Sequence, residues 1–172
     1  MNELTKYKVG AFPYEVSLGI ICENKKYFPT YANDTDACMD LKIKICKEKT
    51  FNNLKVIDTT DTILPNESKV YGTGVKLKIP NDFFIQVFPR SSTGFKLNCR
   101  LANTVGIIDT GYRDEIKLKI HNFGTESITL QDGQRIAQFV LLPRPKIKLI
   151  EIDDDKEFNE GNRGGGIGST GN

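Results

Sequence analysis

The chain predicts an all-β fold, a sandwich or barrel, on three observations. Short apolar stretches recur along it, Gly, Pro, Asn or Asp punctuate most of the gaps, and no long segment keeps a helical period. Residues 115–121 give the clearest strand. Ile116, Leu118 and Ile120 share one side and the charged residues take the other, the mark of a half-buried antiparallel strand. His121 then falls on the wet face as an exposed histidine.

In chain order, residues 1–14 have no clear period and form a variable N-terminal extension. Strands are expected over 16–21 and 41–45. The stretch 47–60, rich in Lys, Asn, Thr and Asp, is expected to be a loop insertion. Strands follow over 70–79 and 83–88, and one short helix over about 92–97 comes after the Pro-Arg that closes the second of them. A further strand ends at the tight turn bearing Asp109. Beyond 115–121 come apolar stretches at 135–142 and 147–152, then an acidic segment, 151–160, and a flexible glycine-rich C-terminal arm, 161–172. No repeat is visible. At 172 residues the chain suits one domain with a real core and leaves no room for a second of ordinary size.

Composition excludes several functions. The net charge of +2 arises from 24 basic and 22 acidic residues scattered through the chain, so no basic face argues for nucleic-acid binding, although a small anionic ligand fits. Cys22, Cys38, Cys46 and Cys99 show no C-x-x-C spacing and His121 is the lone histidine, which disfavours a zinc site and favours reduced thiols. The N-terminus lacks a basic segment followed by an apolar run, and nowhere do about 18 apolar residues stand together. Neither export nor membrane insertion is expected, and the location is cytoplasmic, or nuclear in a eukaryotic or viral host.

Three segments can carry chemistry. Residues 106–115, Gly-Ile-Ile-Asp-Thr-Gly-Tyr-Arg-Asp-Glu, place Asp109 at a turn where it can accept a proton from water, with glycines that let the backbone close around a small substrate. Asp-Thr-Gly after two aliphatics is also the spelling of half an aspartic protease. Residues 89–96 pair Arg90 and Lys96 with three hydroxyls at the start of the expected helix, where Ser91 or Ser92 could bind phosphate, cap the helix, or do both. In the tail, residues 163–171, glycines expose backbone N–H groups while Arg163, Ser169 and Thr170 add donors suited to phosphate oxygens. A frayed terminus is the alternative.

In order and spacing these pieces resemble the trimeric dUTP pyrophosphatase family, all five of whose motifs can be placed over residues 28–171. Phe28 to Ala32 and Asp36 to Leu41 resemble the first motif, with Cys38 where glycine is usual. Pro89-Arg90-Ser91-Ser92 with Lys96 resembles the second, with Ser92 where glycine is common. Asn103 to Asp109 with Tyr112-Arg113 resembles the third, Gly133 to Gln138 with Pro143 the fourth, and the tail the fifth. The tail is one residue shorter between Arg163 and Gly168 than the usual arm, and Ile167 stands where the family places a phenylalanine over the base, which weakens stacking. The protease alternative falls, because Tyr112-Arg113 replaces the small residue expected there and no second triplet exists for a dyad.

The resemblance implies a jelly-roll or distorted β-barrel, assembled as a homotrimer with active sites shared between subunits. It implies hydrolysis of dUTP to dUMP and pyrophosphate, lowering dUTP and supplying dUMP for dTTP synthesis. Asp109 would activate water against the α-phosphorus, and Arg90, Ser91, Ser92, Gln138, Arg163, Ser169 and Thr170 would hold the phosphates. Asn103, Gly106, Ile108, Tyr112 and Ile167 would hold base and sugar, and Asp40 would hold Mg2+ through water. Two alternatives accompany it. One is a catalytically weak regulatory relative that binds dUTP. The other is a dCTP deaminase, which uses a glutamate in the following strand where this chain has Lys119.

Overall fold

A computed structural model of the chain describes residues 15–51, 54–152, 154 and 158–162. The strands are β1 (Gly19–Cys22), β2 (Met39–Lys42), β3 (Lys47–Phe51), β4 (Leu54–Asp58), β5 (Thr60–Ile63), β6 (Ser68–Gly72), β7 (Val75–Lys78) and β8 (Phe83–Pro89), followed by the helix α1 (Ser91–Phe95). After it come β9 (Cys99–Leu101), β10 (Gly106–Ile108), β11 (Lys117–Asn122), β12 (Ile128–Gln131) and β13 (Arg135–Pro143). Strands pair antiparallel throughout the described residues. One sheet runs β10-β8-β13-β2 and another β6-β11-β9, with smaller pairs β1-β7, β12-β5 and β3-β4.

Period-two patterning places the core as expected. Ile116, Leu118 and Ile120 are buried while Lys117 and Lys119 face out, and Val75 and Leu77 do the same on β7. Their partners inside include Leu41, Ile43, Ile85, Val87, Ile136 and Phe139. The single run expected over 70–79 is two strands, because Gly74 takes a left-handed φ of 68° at the turn between them. A side chain there would also meet the Tyr27 ring at 3.0 Å.

Four expectations need correction. The stretch 47–60 is not a loop: β3 and β4 form a hairpin with Lys47 opposite Asp58, and β5 follows at once. Asp61 anchors its root, accepting from Lys47 at 3.1 Å, Lys69 at 3.2 Å and the Tyr71 hydroxyl at 3.1 Å. Residues 147–152 are not a strand in this chain, and Ile147, Leu149 and Ile150 stand exposed with no partner strand among the described residues. The helix spans five residues, Ser91–Phe95, with Arg90 as its N-cap residue and no side-chain cap, so neither Ser91 nor Ser92 caps it. Instead the buried Thr93 fixes it, its hydroxyl donating to the Ile136 carbonyl at 2.6 Å. His121 is half-buried, because Ser68 on the neighbouring β6 covers it with a 3.0 Å contact from Oγ to Nδ1. All four cysteines are free thiols.

Candidate active site

The hairpin entering β10 builds a pocket of about 200 Å3. Asn103, Gly106, Ile108 and Tyr112 all line it, together with Ile107, Lys117 and an apolar floor that includes Val87 and Leu101. Local geometry explains the shape. Thr104 adopts a positive φ of 61° at the tip, and its N–H donates to the Leu101 carbonyl at 3.1 Å, turning Asn103 toward the pocket mouth. Gly106 pairs with Val87, and a side chain at 106 would stand 3.3 Å from Val87 and 3.4 Å from the Asn103 amide. Glycine therefore keeps the mouth open. The result is a concave, mostly apolar site with few polar groups, the usual form of a small-molecule pocket.

Asp109 follows directly. Its carbonyl accepts the Tyr112 N–H at 3.0 Å, and Thr110 ties the turn to β8 through a 2.7 Å bond to the Phe83 carbonyl. Arg113 closes the turn by donating to the carbonyls of Thr110 and Tyr112. The Asp109 side chain is exposed, and among the described residues none donates to its carboxylate, which leaves it available to water. The Tyr112 hydroxyl donates to the Glu115 carbonyl at 2.8 Å. Burial first, then the charges of Asp114 and Glu115, push its pKa up, so it stays a donor at neutral pH.

A second cluster lies where β2, β8 and β13 meet. Asp40 is 4% exposed and accepts from Arg90 Nε at 2.7 Å and from an Arg135 guanidinium nitrogen at 3.0 Å. Register puts Gln138 opposite Asp40 on one side and Phe88 on the other, and the Gln138 amide lies 3.4 Å from the Pro89 carbonyl. Ser91 is exposed and Ser92 half-buried beside them. Two arginines around one carboxylate leave a net positive charge and unspent N–H donors, a seat for oxyanions. Each Asp40 oxygen accepts one of these bonds and keeps a second lone pair, so Asp40 can still accept from a hydrated ion. Among the described residues no three His, Cys, Asp or Glu side chains gather as a metal cage.

The two clusters lie apart within one chain. Thr110 is tied to Phe83 at one end of β8 and Arg90 follows Pro89 at the other. Six strand steps of about 3.3 Å separate them by about 20 Å. Arg163, Ile167, Ser169 and Thr170 lie outside the described residues. Sequence patterning missed Lys117, Arg135 and Thr93. The first two are outward residues on alternating strands, where a lysine or arginine looks like ordinary solvated surface.

The dUTPase family model matches residues 52–171. A deoxyuridine 5'-triphosphate nucleotidohydrolase of Clostridium tetani is 34% identical over 160 residues, covering 92% of this chain and 97% of the relative. One of Escherichia phage T5 is 43% identical over 110 residues, covering 63% of this chain and 72% of the relative. The dUTPase structure from Streptococcus mutans superposes with a TM-score of 0.62 at 22% identity, covering 77% of this chain and 99% of that one. A point mutant of the staphylococcal phage 80alpha dUTPase gives a TM-score of 0.68 at 21% identity over 87% of this chain and 97% of that one. These neighbours share the all-β jelly-roll architecture seen here. The chain belongs to the dUTPase family.

Proposed function

We propose that the chain hydrolyses dUTP to dUMP and pyrophosphate, which lowers dUTP and supplies dUMP for thymidine nucleotide synthesis. The observation that carries this is the pocket itself, which gathers Asn103, Gly106, Ile108 and Tyr112 beside a turn that presents an unengaged Asp109 carboxylate. Backbone groups of the hairpin and Asn103 offer hydrogen bonds to the uracil edge. Cytosine would leave such groups unpaired, the kind of mismatch that can reject by about 10⁴ or more. A thymine methyl would meet the pocket wall, and the Tyr112 ring against the sugar leaves no room for a 2′-hydroxyl.

In the reaction, Asp109 takes a proton from a water whose oxygen bonds to the α-phosphorus, and the bond from that phosphorus to the bridging oxygen breaks with its electron pair leaving on pyrophosphate. Arg90, Ser91, Ser92 and Gln138 hold the phosphates, and from the tail Arg163, Ser169 and Thr170 add donors. By the resemblance, Ile167 takes the place over the base, where its aliphatic side chain would stack less well than an aromatic ring. Lys117 supplies a cation at the pocket rim.

The donor set suits Mg2+, which keeps its waters and takes one or two carboxylates plus substrate phosphates rather than a protein cage. Asp40, through a bound water, would be that carboxylate, and the ion would supply neutralisation of charge on the triphosphate. A structure of a point mutant of the dUTPase from Staphylococcus aureus phage phi11 describes coordination of a structural Mg(II) ion in that protein.

The length of β8 supports a homotrimer with shared sites, because Asp109 and Arg90 sit at opposite ends of it and a single nucleotide would draw them from different subunits. The exposed apolar stretch 147–152 supports the same reading. Pyrophosphate release with Mg2+ from dUTP, dCTP, dTTP and UTP tests the function. Turnover confined to dUTP is expected, and release from dCTP or UTP at a comparable rate, or none from dUTP, would refute it.

A further inference from the structure

Glu115 is engaged on both its side chain and its backbone, and neither engagement belongs to the reaction described above. Its carboxylate accepts the Gly74 N–H at 2.7 Å and pairs with Lys44 at 3.4 Å. It rests directly on Gly72, where an added Cβ would stand 2.3 Å from Oε1. Its own carbonyl, on the other side of the residue, receives the Tyr112 hydroxyl at 2.8 Å. The next residue is pinned to the same turn, with the Ile116 carbonyl accepting from Thr73 N and Oγ1 at 3.1 and 2.9 Å and the Ile116 N–H donating to Val75 at 2.9 Å.

We infer that Glu115 is a positioning residue for sugar selectivity: by latching its carboxylate onto the β6–β7 turn it fixes the carbonyl that holds the Tyr112 ring. The inference rests on the reading that Tyr112 faces the sugar. Its physical basis is leverage. A ring that excludes one hydroxyl must be placed to well under an ångström, and a misplacement of about 1 Å can cost as much as 10²-fold in a rate. Tyr112 is itself 38% exposed, so packing alone does not hold it there. The hydroxyl bond to Glu115 does, provided Glu115 does not move. Burial works against the Glu115 charge, but the Gly74 N–H and the Lys44 ammonium outweigh it and hold the carboxyl below its ordinary range, so the latch is closed at neutral pH.

The test is the ratio of kcat/KM for dUTP over UTP in the purified full chain. Glu115→Asp keeps the charge but is too short to reach Gly74, and the ratio should fall about tenfold through UTP becoming a better substrate. Glu115→Gln retains an oxygen for the Gly74 N–H and should keep the ratio within about twofold. Gly72→Ala leaves position 115 intact and displaces the carboxylate from the other side, so it should lower the ratio as Glu115→Asp does. It decides the matter if Glu115→Asp does not fold. A merely structural role would lower both turnovers together. A ratio unmoved by Glu115→Asp or Gly72→Ala, where Tyr112→Ala does lower it, overturns the latch and leaves the sugar-facing tyrosine standing. A ratio unmoved by Tyr112→Ala as well overturns both.

Discussion

Asp40 pairs with Arg90 and Arg135 together from a buried position, so its first task is to hold the two guanidiniums in place at the proposed phosphate seat. Asp40→Asn keeps the shape and removes the charge, leaving the two cations facing each other. Breaking a buried pair by removing one partner costs about 3–5 kcal/mol, and the half-exposed Arg135 reduces this to about 2–3 kcal/mol here. The free energy of unfolding should fall by that amount, lowering the melting point, while KM for dUTP rises about tenfold or more. An unchanged melting point and KM would mean that the arginines do not depend on Asp40. At this scale much of the site was legible, because Asn103, Gly106, Ile108, Asp109 and Tyr112 lie in one short stretch whose turn chemistry shows in its spelling. Arg135 was not, since its partner Asp40 is 95 residues away and only the β2–β13 pairing joins them.

Elements are tied to each other by two half-buried carboxylates. Asp61 joins the β3 root to β6, and Asp132 joins Lys26, the Tyr27 hydroxyl and the Ile45 N–H. Burial raises both, yet the donated hydrogen bonds prevail and hold each below the ordinary aspartate value of 3.8. A carboxyl with a depressed folded pKa contributes stability that is present above its unfolded pKa and lost as pH falls through the folded one. Urea midpoints should therefore be flat from pH 7 to about pH 5 and fall below about pH 4. A midpoint no lower at pH 3 than at pH 7 would contradict this. The β3–β4 hairpin illustrates why element-level reading failed at 47–60. Lys, Asn and Asp are poor strand formers, and what makes the strands is cross-strand pairing plus the Asp61 anchor from outside the segment. The opposite error occurred at 147–152, whose apolar pattern is strand-like but which has no strand beside it among the described residues of its own chain.

At the scale of the whole molecule, β8 acts as a spacer that keeps Asp109, the proposed proton acceptor, and Arg90, in the proposed phosphate seat, about 20 Å apart within one chain. Arg90→Ala and Asp109→Asn should each be nearly inactive alone. After unfolding and refolding together in equal amounts, about a quarter of the shared sites would combine an intact Arg90 with an intact Asp109 from different chains, and that share of activity should return. No recovery in the co-refolded protein would mean that both residues serve a site from one chain. The account as a whole turns on Asp109, and pyrophosphate release from dUTP with Mg2+ by the unsubstituted protein and by Asp109→Asn, measured beside equilibrium binding of dUTP, tests it most directly. The account predicts turnover lowered by at least about 10² in the variant with binding retained. Equal turnover in the two proteins would contradict it.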